Sequence, residues 1–223
     1  MPGARSILLF SVLAVAALFM APQQRPALTL QWVDAGNGLK VMRHEVTIAQ
    51  WRECFSEGAC TFMPKPGLGA VDDSYPVTGI GALDAQEFVA WAQKRSGLPV
   101  QLPSVEQWYS FSETPIAATT KLFTDPRMAW AATYGSEGKT DPKLKPPGSF
   151  GHTSRNIADV KGNVWEWTRS CVQDAATDRC PAWFAAGDHL AKVPVFVRDP
   201  TTGGCATGTP PAHLGMRLVL VTP

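Results

Sequence analysis

Apolar residues recur at helical spacing in three places along the chain, each with a capping pair just upstream. Thr47 with Gln50 opens IAQWRECF, in which Ile48, Trp51 and Phe55 fall on one face. Asp84 with Glu87 opens AQEFVAWAQKR, where Phe88, Trp91, Ala92 and Arg95 follow the i, i+3, i+4, i+7 pattern and Gly97 stops the run. Ser104 with Gln107 opens a shorter helix that carries Val105 and Trp108. In each pair the first side chain can accept from an orphan N–H and the second can reach back to the cap. Strand patterns occupy the two ends of the chain. Leu28–Val33 and Val41–Val46 read as a hairpin across Ala35-Gly36-Asn37-Gly38, whose Asn-Gly suits positive φ, and Met216–Val221 reads as a closing apolar strand.

Between these elements the pattern is irregular. From Thr124 to Ser154 there is little periodicity and much Pro, Gly and Lys, and so long an irregular stretch in a compact domain is usually functional or held by a ligand. The full chain has 19 Gly, 19 Pro and 8 Trp among 223 residues. Large indole rings supply core area where regular elements are scarce, and Gly with Pro cuts the chain into turns. A loop-rich α+β domain is therefore expected, with no internal repeat and no second domain. The net charge is +1 with 17% charged residues, which gives no electrostatic basis for a nucleic-acid or anionic-membrane partner.

The N-terminus adds a location. Arg5 precedes an uncharged apolar run from Ile7 to Ala21, followed by Pro22 and polar residues. About 15 residues suit the hydrophobic region of a signal peptide and are short for a membrane span. Residues 1–27 are expected to direct export, and whether they are cleaved or retained as a membrane anchor stays open, since Phe19 and Ala21 form a weak pair before the cut. Five cysteines fit an oxidising compartment. Cys54 with Cys60, and Cys171 with Cys180, bracket short loops that a disulfide can close, each bridge contributing about 2–3 kcal/mol. Cys205 is left over, and its pairing with a member of the second set is the main alternative. The four histidines, His44, His152, His189 and His213, show no pair at ligand spacing and read as surface or loop residues.

Five blocks in order carry a resemblance: HEVTIAQW at His44–Trp51, YPVTGIGALDAQEFVAW at Tyr75–Trp91, LPSVEQW at Leu102–Trp108, IADVKGNVWEWT at Ile157–Thr168 and LGMRLV at Leu214–Val219. Together they resemble the formylglycine-generating-enzyme (sulfatase-modifying factor) family. The resemblance implies a C-type-lectin-like α+β fold over residues 28–223, with two main helices packed on small antiparallel sheets. It also implies a possible calcium role for Asn163 and Glu166 of the Gly-Asn-Val-Trp-Glu-Trp segment, with backbone carbonyls between. A second calcium position of the family falls at Thr153 here. Trp165 and Trp167, on one side of an extended segment, would anchor loops in the core.

The catalytic apparatus of the family is incomplete. Its oxidases convert a substrate cysteine to formylglycine using copper(I) held by two thiolates near the C-terminus, and soft sulfur ligands suit that ion. In the corresponding stretch, VFVRDPTTGGCATGTPPAHLGMRLV, Cys205 stands alone. It is the one candidate catalytic residue, and copper is not expected. The shortened, exported form is similar to small family members associated with copper nitrite reductase and, more loosely, with periplasmic siderophore maturation. The expectation is an accessory, maturation or binding protein of the periplasm with a protein partner, without formylglycine-generating activity. A divergent metal-dependent oxidoreductase and a structural or ligand-display domain are the alternatives.

Overall fold

Two small four-stranded sheets and three helices make up the described part of the computed structural model, which covers residues 28–114, 142–172, 180–187, 190–198 and 213–221. The first sheet contains β1 (Trp32–Gly36), β2 (Leu39–Met42), β3 (Val100–Gln101) and β8 (Val219–Val221) in the order β1-β2-β8-β3. The second contains β4 (Trp165–Cys171), β5 (Ala182–Ala186), β6 (Leu190–Pro194) and β7 (Leu214–Gly215) in the order β6-β5-β4-β7. All their pairings are antiparallel except that of β4 with β7. The loop-rich α+β architecture expected from the sequence is the one observed. Cys205, His189 and the N-terminal apolar run lie outside the described residues. Among the described residues no helix is long and apolar enough to cross a membrane.

The opening hairpin is tighter than the alternation suggested. Asn37 and Gly38 both take positive φ, 53° and 71°, and join strands paired from Gly36↔Leu39 to Trp32↔Met42. Two consecutive positive-φ residues match the right-handed strand twist, so the strands draw in toward the turn. Val46, expected in the second strand, lies outside the hairpin: its N–H donates to Met216 O at 2.8 Å and its carbonyl accepts from Val77 N–H at 2.9 Å.

The capping pairs at Thr47/Gln50 and Ser104/Gln107 form as expected and open α1 (Ile48–Ser56) and α3 (Val105–Ser112). On α1 the inward face is Ile48, Trp51 and Cys54; Phe55, expected inside, is 42% exposed. The cysteine takes the inner position, bonded to the equally buried Cys60. The middle helix, α2 (Ala82–Ser96), starts earlier than its polar residues suggested. Gly81 is the cap, and Asp84 is the third helical residue, accepting from Gly81 N–H at 2.7 Å. Glu87 accepts from the Thr61 backbone N–H at 2.7 Å instead of capping anything. Gly97 closes α2 at φ 69°, as read from the sequence.

The larger core joins α1, α2 and the second sheet, with Trp51 stacked on Phe88 at 5.4 Å between ring centroids. A second cluster gathers around Trp108 and Phe111 of α3 against β1, β2 and β5. The closing segment is not one strand but two. Leu214–Gly215 pairs with β4, Val219–Val221 pairs with β2 and β3, and the residues between hand their carbonyls to Val46 and Met42. This crossing from one sheet to the other places Arg217 at the centre of the molecule.

Candidate functional site

Arg217 is fully buried, and its guanidinium ties four segments together. Nε donates to the Glu166 carboxylate at 3.0 and 3.1 Å, Nη1 to the carbonyls of Met42 and Arg43 at 3.1 and 3.0 Å, and Nη2 to Ala158 O at 2.8 Å and Glu166 Oε1 at 2.7 Å. Both faces of β4 are covered here, so Glu166 is buried like its neighbours Trp167 and Thr168, and its Oε2 also accepts from Trp108 Nε1 at 2.8 Å. Burial alone would lower the Arg217 pKa. The Glu166 and Glu45 carboxylates and the hydrogen bonds to Glu166 more than offset it, and the guanidinium is held above its ordinary range. A buried charge needs this degree of compensation to remain ionised.

Beside this pair sits a second acidic group that is far less well satisfied. The turn after β2 carries His44 and Glu45, and the turn before the Gly-Asn-Val-Trp-Glu-Trp segment carries Asp159 at φ 60°. The Arg43 carbonyl accepts from Ala158 N–H at 2.9 Å, which lashes the two turns together. His44, Glu45 and Asp159 each present a ligand atom within 4.8 Å of the others, so the three could hold a metal ion. Asp159 is oriented by backbone donors: Oδ1 accepts from Phe150 N–H at 2.8 Å and Oδ2 from Gly148 N–H. Glu45 has no such donors to either oxygen, and its nearest cation is Arg217 Nη2 at 3.8 Å, beyond hydrogen-bond reach. Desolvation pushes the Glu45 carboxyl up to about 8, against the pull of Arg217 and with the added repulsion of Glu166 and Asp159. Burial also lowers the His44 pKa, partly countered by Asp159. His152 lies close enough to add to that lowering, so the fold brings together two histidines that sequence spacing kept apart.

The residues expected to act are distributed differently. Cys54–Cys60 and Cys171–Cys180 are both bonded, with Cα–Cα distances of 5.3 and 5.8 Å. Asn163, at φ 72°, spends its carboxamide on Lys145, accepting from the backbone N–H at 3.0 Å and donating to the carbonyl at 3.2 Å. Glu166 spends both oxygens on Arg217 and Trp108. The two proposed calcium ligands thus serve separate protein partners. Thr153 is buried, and its Oγ1 accepts from Ile157 N–H at 3.2 Å. Trp167 is fully buried and donates to Ile80 O at 2.8 Å, whereas Trp165 is half-buried beside Gly187. His44, Glu45, Asp159 and Arg217 were missed as site residues. All four stand inside the blocks that carry the family resemblance, but only the fold shows that those blocks converge.

A groove beside α2, lined by Glu57, Glu87, Trp91, Lys94 and Arg95, offers no comparable group. Its Glu57 already accepts from Trp91 Nε1 at 2.9 Å and pairs with Arg95 at 3.3 Å.

Comparison with known proteins places the chain in a family. The model of the sulfatase-modifying factor enzyme 1-like domain (FGE-sulfatase) matches residues 20–221, and the chain belongs to this family. No curated protein matches it in sequence. Among solved structures it is similar to PvdO from Pseudomonas aeruginosa, with 16% identity, a TM-score of 0.50 and coverage of 82% of this chain and 80% of that one. It is also similar to the Treponema denticola variable protein 1, with 13% identity, a TM-score of 0.52 and coverage of 88% and 93%. A third likeness is to CarF, with 16% identity, a TM-score of 0.50 and coverage of 83% and 87%. At these identities the likeness shows the fold.

Proposed function

We propose that this family member is an exported accessory domain, serving the maturation or function of a protein partner in an oxidising compartment, and that it does not generate formylglycine. One observation carries the second half of this reading. Of five cysteines in the chain, Cys54, Cys60, Cys171 and Cys180 are bonded in two pairs, so Cys205 is the single thiol left. A copper(I) centre of the family's type takes two thiolates, and one chain then has only one to offer. The two disulfides also support an oxidising location. The partner suggested by the resemblance to small exported members is a copper nitrite reductase.

Two measurements test the reading. Purified protein supplied with copper(I) and a cysteine-containing peptide should consume no oxygen; thiolate-dependent consumption that disappears in Cys205→Ser would overturn the non-oxidase reading. For the accessory role, sedimentation of the protein mixed with a copper nitrite reductase from the same cells should show a complex. Deletion of the chain should also lower nitrite-reducing activity in extracts of the cell envelope. Absence of both effects rejects that partner.

A further inference from the structure

We propose that His44, Glu45 and Asp159 bind one divalent transition-metal cation of the zinc type. The site is distinct from the Asn163–Glu166 segment and does not depend on the accessory role proposed above.

The first ground is an unsatisfied carboxylate. Glu45 is 1% exposed, and beyond a weak approach of its own backbone N–H neither side-chain oxygen has a hydrogen-bond partner. An unpartnered buried carboxylate is costly enough that native folds give it a donor, a proton or a cation. Arg217 meets that need only in part: its Nη2 stands 3.8 Å from Glu45 Oε2 as an ion pair, while its hydrogen bonds go to Glu166 and to three backbone carbonyls. The Nδ1 of the neighbouring His44 is likewise buried without a partner. Glu45 and His44 thus each carry an orphaned polar atom, and a ring nitrogen of His44 lies within 4.8 Å of carboxylate oxygens of Glu45 and Asp159.

The second ground is charge. Glu45, Asp159 and Glu166 are all buried, and the guanidinium they share is that of Arg217. With every group ionised the cluster carries two uncompensated negative charges, and a dication balances them. The third ground is support of the ligands. Asp159 is held by the N–H groups of Phe150 and Gly148, and such outer hydrogen bonds orient metal-binding carboxylates. The ligand set then selects the ion. One imidazole nitrogen with two carboxylates suits zinc, manganese or iron(II), whereas calcium and magnesium take oxygen. With bonds of about 2.0–2.2 Å, tetrahedral ligand atoms stand about 3.5 Å apart. From separations of up to 4.8 Å the side chains need draw in by little more than an ångström. Bound there, the ion would join the turn after β2 to the turn before β4.

The test is binding of zinc by the untagged full chain after exhaustive dialysis against chelator. Isothermal titration with zinc chloride should give one ion per chain, and a saturating amount should raise the melting temperature. Glu45→Gln keeps the shape of the side chain and His44→Ala removes a half-buried ring. Each should weaken binding at least tenfold while circular dichroism and disulfide content stay unchanged. Cys205→Ser should bind as wild type, and calcium should not bind in the same concentration range. The proposal is overturned by no stoichiometric binding, which would leave Glu45 as a buried neutral acid. It is also overturned by binding that survives both site variants, by binding that vanishes in Cys205→Ser, or by calcium binding as tightly as zinc.

Discussion

Replacing Arg217 with Met should be among the most damaging single changes in the described structure. The side chain is fully buried, and its loss takes a donor from the carbonyls of Met42, Arg43 and Ala158, of which that of Arg43 keeps the Ala158 N–H. It also leaves the Glu166 carboxylate with Trp108 Nε1 as its one remaining side-chain donor and removes the cation facing Glu45. Breaking a buried ion pair from one side costs about 3–5 kcal/mol, because the remaining charge stays buried and uncompensated. For a domain of this size each kcal/mol moves the melting temperature by about 2–4 °C, so a fall of about 6–20 °C is expected. Urea unfolding followed by Trp fluorescence, with the disulfides intact, measures the loss directly. Adding Glu166→Gln to Arg217→Met should recover part of it, since the stranded charge goes too, and the double-mutant cycle should show coupling above about 1 kcal/mol. A single variant melting within 2 °C of wild type, or strictly additive losses, would refute the view that Arg217 compensates buried carboxylates.

Three further outcomes are expected. Trp167→Ala should cost about 3–5 kcal/mol in urea unfolding, as a fully buried indole bonded to Ile80 O, and the half-buried Trp165→Ala clearly less; equal losses would contradict the packing described. Asp84→Ala should cost about 1–2 kcal/mol, mostly through the Gly81 N–H it caps, since the Arg198 side chain it also holds is 49% exposed; a loss that vanishes at high salt would assign it to the ion pair instead. In metal-free protein the folded state keeps a proton on Glu45 up to about pH 8, against an ordinary value of 4.5. Its folded pKa is raised, so stability should decline as pH rises through that window, with His44, Asp159, Glu166 and Arg217 facing the group. Glu45→Gln should flatten the decline, and an unchanged slope would place the titration elsewhere.

What could be read in the sequence was local. Thr47/Gln50 and Ser104/Gln107 are complete capping boxes within four residues, and Asn37-Gly38 needs only its own backbone preference, so each was visible in place. Cys54 and Cys60 are six positions apart, near enough for spacing to suggest the bond. The start of α2 was misplaced because Gly81 has no side chain to announce a cap, and the half of the box that exists belongs to Asp84. Phe55 was misplaced because an apolar residue at helical spacing does not say whether a disulfide partner takes the inner face. The buried charge centre was out of reach for a different reason. Arg217 lies 175 positions from Met42, 59 from Ala158 and 51 from Glu166, and periodicity carries no record of such separations. Charged residues are ordinarily read as solvent-facing, so Glu45, Asp159, Glu166 and Arg217 gave no sign of burial until the two sheets set them together.

The same geometry explains why the family signature persists in a chain without a pair of free thiols. Within the signature, Asn163 fastens the Lys145 backbone, Glu166 neutralises Arg217 and Trp108 caps it from α3, while Trp167 ties β4 to Ile80. These are duties of the scaffold, and none of them needs copper or a substrate cysteine. The residue blocks that identify the family are thus those that join its two sheets, and their presence reports the fold rather than an activity. Activity has to be argued from groups that the scaffold does not consume. Here the clearest are the Glu45 carboxylate and the His44 Nδ1, which lie against the scaffold's own ion pair yet receive no hydrogen bond from it.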